Sequence, residues 1–127
     1  MSFKDVPEGA WYSEALTYLA ARGIIKGSGT GKFGPAKKLT GSQLLTMVQR
    51  TYGLESSLDA GNIVIARDKE MTRQEMVSYL YSILEKAGQL PDSSKGKILM
   101  DYRDANPKGK VTRAQMTQLL YHLQSGI

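Results

Sequence analysis

Cysteine is absent from this 127-residue chain, and histidine and tryptophan occur once each. The absence of cysteine excludes disulfide bonds, thiolate catalysis and cysteine-ligated zinc. Because His122 is the sole histidine, no histidine pair exists for a metal site, and no pattern marks a serine triad. No apolar run reaches the roughly 18 residues of a membrane helix, and the first five residues lack a signal-peptide pattern. We therefore expect no enzyme activity, no metal or cofactor, and no membrane insertion.

The composition is that of an ordinary globular domain with a basic surface. Hydrophobic residues make up 41% of the chain and charged residues 23%, which argues against disorder. The formal net charge is +5. This charge favours an anionic partner: a nucleic acid, an acidic polysaccharide or a membrane surface.

One short element occurs three times, and each copy predicts the start of a helix. Thr40, Thr72 and Thr112 lie where a helix N-cap belongs, and each is followed three residues later by glutamine or glutamate. This is the pattern of a capping box, in which the two side chains satisfy unpaired main-chain amides. An apolar pair of the hydrophobic-staple type brackets each threonine. The pairs are Leu39 with Leu44, Met71 with Met76, and Val111 with Met116.

Apolar residues at helical spacing follow each threonine, and Gly53 and Gly88 end the first two of these stripes. An earlier helix is predicted over about residues 11–22. These patterns predict four helices and an all-α fold. Between them, residues 27–35 and 93–97 have the composition of loops. Ile63-Val64-Ile65 fits either a short strand or a plug of the core.

Residues 3–53 resemble the S-layer homology motif. The matching residues, in order and spacing, are Phe3-Lys4-Asp5-Val6, Trp11-Tyr12, Ala15, Leu19-Ala20, Gly23-Ile24-Ile25-Lys26-Gly27, Gly31-Lys32-Phe33-Gly34-Pro35 and Leu39-Thr40. Residues 71–75 and 111–115 are similar to the Thr-Arg-Ala-Glu signature that opens the motif's second helix. The resemblance implies one domain over residues 1–127, a small pseudo-threefold bundle of helix-loop-helix repeats.

The later repeats depart from the motif. Residues 63–88 and 100–124 form partial second and third repeats, which have the Thr-Arg helix and lack a visible first half. Residues 101–105 are similar to a motif opening but run directly into residues 106–109, which are similar to its late loop. This implies that an intervening helix is lost. The first repeat carries Gly41 where the family has arginine.

The resemblance implies a non-catalytic anchor at the bacterial cell surface that binds an anionic secondary cell-wall polysaccharide, often through a pyruvylated sugar. A native gene without an export signal would instead place the protein in the cytoplasm. The alternative is a trimmed protein-interaction or self-association module without sugar binding, because apolar faces that lost their cover need a partner.

Arg73 and Arg113 are the first candidate ligand contacts, because each is predicted at the first residue of a helix, where unpaired amides attract anions. A cation there costs roughly 0.3–1 kcal/mol unless an anion lies nearby. A guanidinium can hold a carboxylate by two hydrogen bonds. The alternatives are a solvated arginine or an ion pair with Asp101 or Asp104.

Trp11 and Asp5 are further candidates. The Trp11 ring can stack on a sugar, although a tryptophan before a helix also serves as a core or staple residue. The resemblance places Asp5 near the binding groove, and the alternatives are a cap on the first turn or an ion pair with arginine. Exposed amides and hydroxyls of the glycine-rich loop can line the same groove. The residues in question are Gly27, Ser28, Gly29 and Thr30.

Nucleotide and nucleic-acid binding are not expected. The glycine-rich loop fails the phosphate-loop pattern at both ends, where Lys26 and Phe33 stand. Lysine-rich runs fall on predicted loops and can contact phosphates. However, a helix-turn-helix needs a connection of about 3–4 residues, and the loop over residues 27–35 is much longer.

Overall fold

The computed structural model describes residues 3–25, 31–54 and 68–125. Within these residues the regular structure is almost entirely helical, which confirms the all-α prediction. The helices are α1 (Ser13–Ala21), α2 (Gly41–Tyr52), α3 (Arg73–Lys86), α4 (Ser93–Ala105) and α5 (Arg113–Ser125). None of these helices is both long and apolar enough to cross a membrane.

The chain forms two compact units, and the first, the terminal unit, comprises residues 1–37 and 112–127. In this unit α1 packs against α5. The Tyr18 and Tyr121 rings meet edge to face with centroids 5.0 Å apart, and the Tyr121 hydroxyl donates to Glu14. Aliphatic side chains of both helices supply its buried core, among them Leu16, Leu19, Met116, Leu120 and Leu123.

The second, the central unit, comprises residues 38–111. In it α3 packs against α4, and Gly96 allows a close approach, because a Cβ at that position would lie 2.9 Å from the Tyr81 hydroxyl. The buried side chains of the central unit are again aliphatic, and they include Leu44, Val48, Met76, Leu80, Leu84 and Leu99.

The residues before the three helix-capping threonines form a ring of main-chain hydrogen bonds. The Leu39 amide donates to the Val111 carbonyl at 2.7 Å, Val111 donates to Met71 at 2.9 Å, and Met71 donates to Leu39 at 3.0 Å. All three side chains are buried. This hydrogen-bond ring relates the three residues by the approximate threefold pattern that the repeats predict.

The predicted helix starts at Thr40, Thr72 and Thr112 are confirmed, because a helix follows each threonine directly. Gly53 ends α2 in the left-handed conformation, with φ of 66°, which glycine adopts without strain. The first helix is shorter than predicted. It begins at Ser13 rather than at Trp11, because the Ser13 amide and hydroxyl both donate to the Ala10 carbonyl in a preceding turn.

The prediction of an exposed loop at residues 93–97 is wrong, and so is the count of four helices. The described residues contain a fifth helix, α4, which the Asp92 carboxylate caps by accepting the Lys95 amide at 3.0 Å. This bond and one from Ser94 lower the pKa of Asp92. The lysines expected on a loop there, Lys95 and Lys97, therefore lie on a helix.

Residues 101–105, which are similar to a motif opening, form the end of α4. No helix lies between Ala105 and Arg113, as expected. A helix, α4, therefore precedes the Thr-Arg helix of the third repeat in the chain. The expectations for residues 63–65 and for the loop residues Gly27 to Thr30 fall outside the described residues.

Candidate functional site

Capping boxes place both candidate arginines at the first residue of a helix. The Thr72 hydroxyl accepts the Glu75 amide at 3.1 Å, and the Glu75 carboxylate accepts the Thr72 amide at 3.0 Å. Thr112 and Gln115 make the equivalent bonds at 3.2 and 3.1 Å. The predicted boxes are confirmed, and they fix where each arginine side chain leaves the main chain.

The amides at these helix starts are not free to bind an anion, so that part of the expectation is wrong. Besides the amides bonded within the boxes, the first two amides of each helix donate to carbonyls of loops that are distant in the sequence. The pairs are Arg73 with Gly109 at 2.9 Å, Gln74 with Pro107 at 3.0 Å, Arg113 with Lys37 at 2.9 Å, and Ala114 with Pro35 at 3.1 Å. A ligand at either helix start would therefore meet the guanidinium and not the main chain.

Arg113 lies against Phe33 in the terminal unit. Its Nε donates to the Phe33 carbonyl at 2.9 Å, and its guanidinium carbon lies 5.0 Å from the centroid of the Phe33 ring. Burial lowers the pKa of Arg113, and the charge of Asp5 opposes that shift. Among the described residues, the two terminal nitrogens, Nη1 and Nη2, make no hydrogen bond and no ion pair.

Asp5 fixes the loop that carries Phe33. Its two carboxylate oxygens accept the Phe33 and Gly34 amides, each at 2.8 Å. These bonds hold the pKa of Asp5 below its ordinary value. The alternative in which Asp5 caps the first turn is wrong, because Tyr12 occupies the N-cap of α1 without a side-chain cap. Asp5 instead positions the residue on which Arg113 rests.

Trp11 is exposed beside this cluster. Its side chain is 61% exposed, so the alternative of a core residue is wrong. Its ring makes a T-shaped contact with the Tyr12 ring, with centroids 5.0 Å apart, and the centroid of the Tyr12 ring lies 6.2 Å from that of Phe33. Burial and the nearby Asp5 carboxylate raise the pKa of Tyr12. Trp11, Tyr12, Phe33, Asp5 and Arg113 therefore form one connected cluster, the Arg113 site.

Arg73 lies in the central unit, against the end of α4. Its Nη1 donates to the Tyr102 carbonyl at 3.1 Å, and its guanidinium carbon lies 4.2 Å from the centroid of the Tyr102 ring. Its Nε is buried and has no hydrogen-bond partner in the described part of the chain. We refer to Arg73 and Tyr102 as the Arg73 site.

Asp101 and Asp104, the two acids that were expected as alternative partners of these arginines, bind other cations. Asp101 pairs with Lys97 at 2.7 Å, and Asp104 pairs with Arg103 at 2.8 Å. Across the described ranges, neither Arg73 nor Arg113 takes part in an ion pair. The alternative of an internal ion pair with these acids is therefore wrong.

Three aromatic residues of these sites were not among the predicted contacts. Phe33 and Tyr12 stand within the motif that the sequence displays, so their positions were visible although their roles were not. Tyr102 gave no such signal, because its segment was predicted to open a motif. Gly41, which replaces the arginine in the first repeat, is buried, and its amide donates to the Lys69 carbonyl at 3.2 Å.

Residues 2–45 match the S-layer homology domain family. The chain is also similar to three surface proteins. S-layer protein sap of Bacillus anthracis is 28% identical over 119 residues, which is 94% of this chain and 13% of that protein. Outer membrane protein SlpA of Thermus thermophilus is 32% identical over 108 residues, 75% of this chain and 11% of that protein. The Surface-layer 125 kDa protein of Lysinibacillus sphaericus is 26% identical over 113 residues, 89% of this chain and 9% of that protein. The chain thus spans about a tenth of the length of these curated relatives.

Proposed function

Since this chain carries an S-layer homology domain, we propose that it is a non-catalytic anchor that binds an anionic, pyruvylated secondary cell-wall polysaccharide at a bacterial cell surface. The observation that carries the proposal is the state of Arg113. Its guanidinium is partly desolvated, rests on an aromatic ring, and has two terminal nitrogens without a partner among the described residues. A carboxylate can take these two nitrogens together.

The free edge of Arg113 suits a carboxylate better than a neutral sugar. Nη1 and Nη2 present two parallel N–H donors, which match the two oxygens of a carboxylate in a bidentate pair. A pyruvate ketal on a sugar supplies one carboxylate per residue. Partial burial strengthens the pair, because screening by water is reduced there.

Trp11 supplies the aromatic surface of the proposed contact. An exposed ring that already packs against Tyr12 loses little conformational entropy when a ligand covers it. The apolar face of a pyranose can stack on it while the carboxylate reaches Arg113. Asp5 acts through Phe33, so we propose that it positions the site.

Arg73 and residues Gly27 to Thr30 remain predicted contacts. Arg73 adds less support, because Tyr102 already engages its side chain and its Nε is buried. The segment Gly27 to Thr30 lies in the sequence between Ile25 and Gly31, and Gly31 has a φ of 78°, which is that of a turn. Ile25 and Gly31 both belong to the terminal unit, as does the Arg113 site.

The proposal is tested by sedimentation of the protein with bacterial sacculi that carry their secondary polymer. Arg113→Ala is expected to weaken binding roughly tenfold or more, since a hydrogen-bonded charge contributes about 1.5–3 kcal/mol. Arg50→Ala is the control for net charge, because Arg50 is exposed on α2. Equal binding to sacculi stripped of the polymer would contradict the proposal.

The alternative of a protein-interaction module has less support. It was motivated by apolar faces without cover, and α4 covers α3 in the central unit. Among the described residues, the exposed large apolar side chains are Trp11 and Leu90, one in each unit. Light scattering at high protein concentration tests self-association. A strictly monomeric protein would exclude a self-association module.

A further inference from the structure

The two arginines receive the same pair of contacts from different partners. In each case one residue offers its main-chain carbonyl to the guanidinium and places its aromatic ring beside it. Phe33 does so for Arg113, and Tyr102 does so for Arg73. The guanidinium nitrogen that bonds the carbonyl differs, because Arg113 uses Nε and Arg73 uses Nη1.

This difference changes which N–H donors of each guanidinium stay unbonded. A carboxylate binds bidentately to two adjacent donors, either Nη1 with Nη2 or Nε with Nη2. Arg113 keeps the pair Nη1 and Nη2 unbonded within the described residues. At Arg73 one N–H of Nη1 is bonded to Tyr102, and the second pair contains Nε, which is buried. Arg73 therefore offers fewer open donors than Arg113.

The hydrogen bond from Arg73 to the Tyr102 carbonyl also helps to cap the end of α4. Tyr102 is the fourth-last residue of α4, in the final turn, where main-chain carbonyls lack an intrahelical amide four residues later. The Asn106 amide, which would reach the Tyr102 carbonyl in a continued helix, bonds to the Arg103 carbonyl at 3.3 Å instead. A cation at this position satisfies the carbonyl and complements the negative end of the helix dipole.

We infer that Tyr102 assigns Arg73 to the capping of α4, so that this chain binds one anionic group, at Arg113, and not two. The inference rests on the proposed function, because it concerns the number of sites for the same ligand. Tyr102 is a specificity-determining residue in this sense: its carbonyl and its ring both hold the Arg73 guanidinium at the end of α4.

The test follows the side-chain Nε–Hε signals of the ¹⁵N-labelled protein by NMR. The titrant is a methyl glucoside that carries a 4,6-linked pyruvate ketal, and Arg73→Lys and Arg113→Lys assign the two signals. In the wild-type protein the Arg113 signal is expected to shift with saturation, while the Arg73 signal stays in place. Tyr102→Ala is expected to add a saturable shift at Arg73. Tyr102→Phe, which keeps the ring, is the matched control and is expected to behave as wild type.

The outcomes separate the inference from the proposed function. Saturable shifts of both signals in the wild-type protein would overturn the inference and leave the function standing. A shift of Arg73 alone would also overturn the inference. If neither signal moves and sacculus binding is absent, both the inference and the proposed function are contradicted. The wild-type titration decides between these outcomes even if Tyr102→Ala does not fold.

Discussion

The Arg113 and Arg73 sites start from the same sequence signature and differ in what holds the arginine. In the terminal unit a loop carries Phe33, and Asp5 fixes that loop through two amides. In the central unit the end of a helix carries Tyr102. An arginine at the first position of a helix thus rests on a loop held by Asp5 in one unit. In the other unit, an arginine at the equivalent position bonds to the end of a helix. Position in a motif does not by itself assign a ligand-binding role.

The largest effect that separates the two sites is expected from Arg73→Ala. This variant loses a charged hydrogen bond to Tyr102, so its free energy of unfolding should fall by about 1.5–3 kcal/mol in urea denaturation. Its sacculus binding should not change at temperatures where it is folded. Arg113→Ala should lose binding as well as stability. Equal loss of binding in both variants would contradict the assignment of different roles to the two arginines.

A smaller effect is expected from removal of the capping threonines. Thr72→Ala and Thr112→Ala each break one capping box and should each cost about 1 kcal/mol of stability. Thr112→Ala should also weaken polymer binding, because the helix start that carries Arg113 frays. Serine at either position keeps the hydroxyl and serves as the control. A binding loss caused by Thr72→Ala would show that the two helix starts are not independent.

The pH dependence of the two capping boxes should differ. Bonds from Lys69 and from the Thr72 amide lower the pKa of Glu75 from 4.5 to about 2, whereas Gln115 does not titrate. A lowered pKa in the folded state contributes stability in full above pH 4.5 and loses it as the pH falls to about 2. Hydrogen exchange of the α3 start should therefore rise in that window. Glu75→Gln should remove the rise, and a rise of equal size at the α5 start would contradict the assignment.

The smallest effect is expected from the ion pair beside the α3 box. Lys69 and Glu75 lie 2.6 Å apart, but their side chains are 56% and 29% exposed. Solvent and salt screen such a pair, so Lys69→Ala should cost less than about 1 kcal/mol, and less still at high salt. Urea denaturation at two salt concentrations measures this. A cost that does not change with salt would mean that Lys69 acts through packing.

The sequence predicts the parts of the fold that depend on local hydrogen bonds. Thr40, Thr72 and Thr112 begin helices because a hydroxyl and a side-chain carbonyl three residues later satisfy amides within a single turn. Such patterns span only a few residues and can be recognised directly in the sequence. The position of Arg113 at a helix start follows directly from them.

Helix α4 could not be predicted in the same way. Its first turn, Ser93-Ser94-Lys95-Gly96, contains two serines and a glycine, which favour a helix less than alanine or leucine, and Leu99 is its one buried residue. The helix forms because Gly96 admits Tyr81 and lets α3 pack closely against it. Such stabilisation comes from tertiary packing, which local propensity does not report.

The roles of the two arginines also depend on tertiary structure. Whether Nε or Nη1 bonds a carbonyl is decided by where Phe33 and Tyr102 lie in three dimensions. No spacing in the sequence encodes that choice.

The hydrogen-bond ring has a consequence for how the protein is made. Its three members, Leu39, Met71 and Val111, are far apart along the chain, and each one donates to one neighbour and accepts from the other. The ring therefore cannot close until Val111 has left the ribosome. We expect α2 and α3 to form early as local helices, while the native arrangement of the central unit waits until Val111 is available. A nascent chain halted before Val111 would expose the buried faces of both helices, so stalled or prematurely cleaved products should be rapidly degraded.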